Sequence, residues 1–170
     1  RYRAKADPSE FWKVAHALLS RLSVFLLAIG ALGVIFAPQI VGLTAPGFAA
    51  DPQKLALTVR LTRILFPFIV LVGLWAYFMG ILNSLRHFAM PSLGSAVRNV
   101  AMIASLLWWA PNSTLGVVVQ AWSVIAGGLI QLLMQLPVAY RLGFRWQWRW
   151  SHPATGEVVG LLGPRMLGSA

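Results

Sequence analysis

Leu43-Thr44-Ala45-Pro46-Gly47-Phe48-Ala49-Ala50-Asp51-Pro52, continued through Leu55 to Ser84, is the stretch whose reading decides the fold. A Pro/Gly turn leads into a long apolar helix that carries Arg60 and Arg63 one turn apart, then Pro67, and closes on Gly80-Ile81-Leu82-Asn83-Ser84. From Ile64 to Leu85 the helix is free of charge over about 22 residues, enough to cross a hydrocarbon core of about 30 Å. The polar groups set into it ask what they handle.

Composition generalises this reading. The 170 residues are 58% hydrophobic and 11% charged, with a mean hydropathy of +0.72. A soluble domain averages roughly 45–50% apolar and 25% charged. A chain this short cannot bury such an excess, so its apolar surface faces lipid, and the expected class is an all-α polytopic membrane bundle. The net charge of +10 fits basic loops beside a membrane better than nucleic-acid binding. With no Cys, disulfides and Cys-ligated metals are excluded. No signal peptide is expected ahead of the first apolar run. The chain opens on Arg1 and stops at Gly168-Ser169-Ala170 as a new apolar segment begins, which is expected of a piece of a longer protein.

Around the decisive stretch, residues 1–21 form a basic cytoplasmic loop with a helix start at Pro8-Ser9-Glu10 and an amphipathic lead-in. His16 in that lead-in is expected at the interface rather than as a proton site. Four transmembrane helices are expected over about 22–43, 55–85, 91–109 and 115–140, with a fifth starting in 158–170. Gly30 and Gly33 admit close helix packing or an ordinary lipid-facing role, and Pro38 marks a kink. Pro91 suits a helix N-terminus. Trp108-Trp109 stand at an aromatic belt before the turn at Pro111-Asn112-Ser113-Thr114. Residues 142–157 make a cytoplasmic interfacial loop. In it Phe144-Arg145-Trp146-Gln147-Trp148-Arg149-Trp150 alternates aromatic and polar residues like an extended anchor. One side of the bundle holds Arg1, Arg3, Lys5, Lys13, Arg21, Arg86, Arg141, Arg145 and Arg149; the other holds Lys54, with Arg60 and Arg63 reaching toward it. That asymmetry places the N-terminus in the cytoplasm.

No catalytic constellation appears. The four acids, Asp7, Glu10, Asp51 and Glu157, lie in loops and none is paired at a useful spacing. The chain is therefore expected to be no enzyme, to hold no metal and to need no cofactor. The candidates are polar groups in membrane-length segments, each costly in lipid. Arg60 and Arg63 share a helix face at i and i+3, and Pro67 cannot donate to the carbonyl of Arg63. They form a cationic patch for an anionic headgroup, or they snorkel to the outer leaflet edge. Arg98 with Asn99 faces a polar interior or snorkels inward. Gln131 and Gln135, at i and i+4, bridge neighbouring helices or line a wet cavity. Asn83 closes the second span.

These residues together resemble a known family. Thr44-Ala45-Pro46-Gly47-Phe48-Ala49, Leu57-Thr58, Arg63-Ile64-Leu65-Phe66-Pro67-Phe68 and Gly80-Ile81-Leu82-Asn83-Ser84 resemble the MurJ (MviN) family. So do Pro91, Asn99, Met102-Ile103, Gly127-Gly128, Gln131, Gln135-Leu136-Pro137, Gly163-Pro164 and Leu167-Gly168. The resemblance is collinear from about Leu22 onward. It implies a lipid II flippase of the bacterial inner membrane, within the multidrug/oligosaccharidyl-lipid/polysaccharide exporter superfamily. It further implies that the chain supplies the third to sixth helices, and the start of the seventh, of a two-lobed transporter. The partners implied are lipid II, membrane lipids and the remaining helices of the full-length chain, with no nucleic acid. Arg63, Arg60, Asn83, Gln131 and Gln135 become the candidate substrate contacts. Arg63 stands where the family carries a basic residue, and Arg98 where it carries an apolar one. The alternatives are another exporter of the superfamily (a drug/cation antiporter or a polysaccharide-lipid flippase) and a non-transporting scaffold for cell-wall enzymes.

Overall fold

A computed structural model describes residues 8–109 and 114–147. Six α-helices follow in order: α1 Pro8–Ile35, α2 Ala37–Thr44, α3 Pro52–Leu65, α4 Phe68–Ser84, α5 Ala89–Trp109 and α6 Thr114–Arg141, with a 3-10 turn over Pro46–Ala50. The described residues contain no strand. Among the described residues, three stretches are long and apolar enough to cross a membrane: Phe11–Ile35, Pro52–Ser84 and Gly116–Arg141. α5 spans 21 residues, ~32 Å at 1.5 Å per residue, but Arg98, Asn99 and its serines make it more polar than those three. A helix starting near Val158 lies outside the described residues, as do the turn at residues 110–113 and the aromatic run from Trp148.

Prolines set the breaks. The helix expected over 22–43 begins at Pro8 and is interrupted at Phe36, one residue before Ala37-Pro38. Pro38 has no N–H for the preceding turn and its ring crowds the carbonyl four residues back. The second expected span runs from Pro52 and is interrupted at Phe66-Pro67. Across that break the bonds shorten to a 3-10 pattern, Ile69 N to Phe66 O at 3.0 Å and Val70 N to Pro67 O at 3.1 Å.

Asp51, legible in the sequence only as a turn residue, is the N-cap of α3. Its Oδ1 accepts from the backbone of Gln53 at 3.1 Å and Lys54 at 3.2 Å, and Pro52 occupies the first helical position. Lys54 Nζ lies 3.3 Å from the other carboxylate oxygen. These contacts hold the Asp51 carboxyl below the usual carboxylate range, the bonds from Lys54 contributing most.

The other ends of α4 and α6 close with the same backbone motif. His87 N bonds Leu82 O at 2.8 Å and Arg86 N bonds Asn83 O at 3.0 Å, with Arg86 left-handed at φ 63°. Phe144 N bonds Ala139 O at 3.0 Å and Gly143 N bonds Tyr140 O at 3.2 Å, with Gly143 at φ 103°. Both are Schellman caps, which satisfy the last carbonyls of a helix. The second cap turns the chain so that Phe144 is fully buried.

Phe144 seeds the core. It packs with Leu19, Phe78, Leu132 and Ala139, and with Trp12, Leu71 and Trp75 at the margin. Phe78 and Tyr140 meet it edge-on, and His16 stacks on it at 5.2 Å between ring centres and 21° between planes. His16 is therefore not the interfacial side chain its sequence position suggests: it is 3% exposed. Its Nδ1 donates to the Trp12 carbonyl at 2.5 Å. The chain returning after α6 covers it, which no periodicity within α1 could foretell. Tyr77 adds a tie from α4 to α1, donating to the Ala15 carbonyl at 2.6 Å.

Candidate functional site

α3 builds one wall of the site. Its threonines turn inward on their own helix: Thr58 Oγ1 donates to Lys54 O and Thr62 Oγ1 to Thr58 O, each at 2.8 Å. Such back-bonding satisfies hydroxyls without a partner helix. The helix meets α1, α2 and α6 along its length, yet none of its residues is buried. One flank of α3 and the facing side of α6 enclose a groove of about 840 Å³ lined by Leu55, Val59, Arg60, Arg63, Trp122 and Ile125, with Pro67 at its end. Among the described residues that line it, the two arginines are the only charged ones.

Arg60 and Arg63 thus share not only a helix face but a cavity wall. They lie about 12 Å and 17 Å along the helix from Pro52. Among the described residues no acid pairs with either: Asp51, whose side chain is described, is engaged with Lys54. Two guanidinium groups at adjacent turns, unneutralised and set in apolar walls, present up to ten N–H donors with no acceptor. Low polarity around them strengthens any anion contact they make. The arrangement suits a phosphate-type group, which Arg binds bidentately, attached to something apolar enough to enter between α3 and α6.

The other candidates sit elsewhere. Gln131 is buried in the α5–α6 interface, where its Nε2 donates to Ser95 Oγ at 3.3 Å and its stem lies over Gly94. Gln135 is wholly buried, and neither amide atom has a partner among the described residues. Asn83 contributes its main-chain carbonyl to the cap of α4. Arg98 lies ~14 Å into α5 with its stem across Gly127 of α6 and its Nε buried. It is a helix-interface residue rather than a groove residue.

Sequence reasoning missed the rest of the α5–α6 seam. Gln120 links the two helices by accepting from Ser105 Oγ at 3.2 Å and donating to the Met102 carbonyl at 3.5 Å. The signal was present, since Gln120, Gly127 and Gln131 recur at seven and four residues on one face of α6. The groove's second wall was also missed. Trp122 and Ile125 are ordinary apolar residues that nothing in sequence marks as facing Arg60 and Arg63.

Comparison with known proteins gives these features a family. The profile described as "Lipid II flippase MurJ" matches residues 1–170. The "Probable lipid II flippase MurJ" of Buchnera aphidicola subsp. Acyrthosiphon pisum is 32% identical over 171 residues, 99% of this chain and 34% of that protein. The "Lipid II flippase MurJ" of Burkholderia cenocepacia is 36% identical over 121 residues, covering 71% of this chain and 23% of that protein. That of Bdellovibrio bacteriovorus, named "Probable lipid II flippase MurJ", is 36% identical over 126 residues, 71% of this chain and 23% of its own. The chain spans about a third or less of the length of these relatives. Its long apolar helices and this full-length match make it a multi-pass membrane protein segment, and the chain belongs to the MurJ family.

Proposed function

We propose that this chain is part of a transporter that flips lipid II, the undecaprenyl-pyrophosphate-linked peptidoglycan precursor, from the cytoplasmic to the periplasmic leaflet of the bacterial inner membrane. The observation that carries the site assignment is the groove in which Arg60 and Arg63 stand without an acid partner among the described residues. A pyrophosphate brings two adjacent anionic groups, and two arginines a helical turn apart offer one fork to each. In this reading four helical crossings are made by α1–α2, α3–α4, α5 and α6, with the N-terminal side in the cytoplasm. The groove then opens toward the periplasmic leaflet, where cargo leaves. Gln131, Gln135 and Asn83 act behind the site, fixing helices rather than touching cargo. No step in this reading makes or breaks a covalent bond.

Depletion of the full-length protein tests the reading. Lipid II then accumulates on the inner leaflet and cells lyse; undisturbed lipid II export under depletion overturns it. At the residue level, replacing Arg60 and Arg63 together with Ala weakens lipid II binding to the purified full-length protein. Loss of a charged hydrogen-bonded pair of this kind costs about 1.5–3 kcal/mol per contact, a decrease of tenfold or more in affinity. Unchanged binding removes the arginines from the site.

A further inference from the structure

We propose that the Phe66-Pro67 break is a pivot on which α3 swings relative to α6, widening and narrowing the groove that holds Arg60 and Arg63. The proposal rests on the reading of that groove as the anion site and adds how access to it is controlled.

Three independent features of the fold support it. The backbone is weakest here: Pro67 offers no N–H to the Arg63 carbonyl, and while Phe66 N still bonds Thr62 O as in an α-helix, the next bonds, Ile69 N to Phe66 O and Val70 N to Pro67 O, belong to a 3-10 turn. The flanking aromatic rings are seated in glycine notches on two different helices. The Phe66 ring occupies the space a Cβ at Gly33 of α1 would need, so closely that the two cannot coexist. The Phe68 ring does the same at Gly128 of α6, where an added Cβ would lie 2.6 Å from Phe68 Cε2. Each ring thus rests directly on the bare backbone of a neighbouring helix, a seat that holds the break in place while the chain on either side turns about it. Finally, anchorage changes sharply across the break. α4 is fixed by buried Phe78, Ile81 and Leu82, and α3 buries nothing.

The geometry makes a small motion effective. Arg60 is seven residues from Pro67, ~10 Å along the helix, so a change of about 20° at the break, the size of an ordinary helix kink, carries it by ~3–4 Å. That distance separates a bidentate contact from none. Hinges of this sort absorb their change at a few residues between rigid segments.

The test uses the full-length protein in proteoliposomes, with spin labels on cysteines replacing Gln53 at the outer end of α3 and Val117 at the outer end of α6. The distance between labels is expected in two populations, with lipid II shifting the balance between them. Pro67→Ala, which restores the missing N–H, is expected to collapse the two populations to one and to lower flipping, with lipid II still bound. Gly33→Ala is expected to do likewise by pushing on the Phe66 ring. The double variant Gly33→Ala/Phe66→Leu is expected to regain both the second population and flipping, which a variant that merely failed to fold would not. A single distance population insensitive to lipid II, or wild-type flipping in Pro67→Ala and Gly33→Ala, overturns the pivot. Failure of the site reading looks different: Arg60→Ala/Arg63→Ala would then bind lipid II normally while the labels still report two distances.

Discussion

α3 and α4 belong to one run of membrane-crossing length, Pro52–Ser84, yet its two halves are held by different means. α4 carries Phe78, Ile81 and Leu82 into the aromatic core around Phe144 and donates the Tyr77 hydroxyl to α1. α3 buries no residue and turns Thr58 and Thr62 back on itself. It is closed at one end by its own Asp51 cap and seated at the other by the Phe66 ring on Gly33, with partly buried contacts to α2 and α6 between. Between helices in lipid there is little hydrophobic drive, so packing, small-residue contacts and hydrogen bonds decide what is rigid. Stability is accordingly uneven within one helix, and segments that move in function come from its weakly held end. The cationic groove lies on that weakly held half.

Mutation can break this contrast from the strong side first. Phe144→Ala removes a fully buried ring that meets His16, Phe78, Tyr140 and Trp12. It is expected to cost about 3–5 kcal/mol, read as a large drop in thermal unfolding midpoint in detergent. Leu55→Ala in the groove wall should cost well under half as much, because Leu55 is only partly buried and its truncation leaves little enclosed cavity behind. Equal losses would erase the distinction between the halves.

A smaller effect is expected at the cap of α4. Arg86 sits at φ 63°, a conformation that glycine adopts without strain. Arg86→Gly is expected to stabilise that end by up to about 1 kcal/mol. A fall in unfolding midpoint would show that the arginine side chain contributes more than its backbone strain.

The smallest effect concerns Asp51 and acts only on α3. Its carboxyl titrates below the usual range because the folded state binds its charged form. The capping contribution is therefore complete above the ordinary carboxylate pKa and fades as pH falls through the depressed one. Amide exchange at residues 55–59, measured against pH and corrected for intrinsic rates, should rise at acid pH while residues 76–82 of α4 stay protected. Asp51→Asn keeps the cap oxygen, drops the Lys54 pair and should abolish that acid limb. Protection of α3 that is insensitive to both would place its anchorage elsewhere.

Much of this was legible in the chain itself. Apolar excess, breaks at Pro38 and Pro67, the basic asymmetry and the i, i+3 spacing of Arg60 and Arg63 follow from composition, proline chemistry and helical period, and each is a local property. The family resemblance rested on the same short runs. Facing relations were not legible. In lipid the outside of a helix is as apolar as its inside, so hydrophobic period no longer points at the core as it does in water. His16 looked interfacial until Phe144, more than a hundred residues later, closed over it. Gly33 had two ordinary readings until Phe66 filled its notch. Gln131 was open between bridge and cavity until Ser95 met it. The sequence alone determined a membrane-borne helical chain of this family with two cations beside a proline break. Only tertiary structure decided that those cations share a groove with α6 and that the break rests on glycine notches, because contacts between distant segments depend on shape and not on any period within one helix.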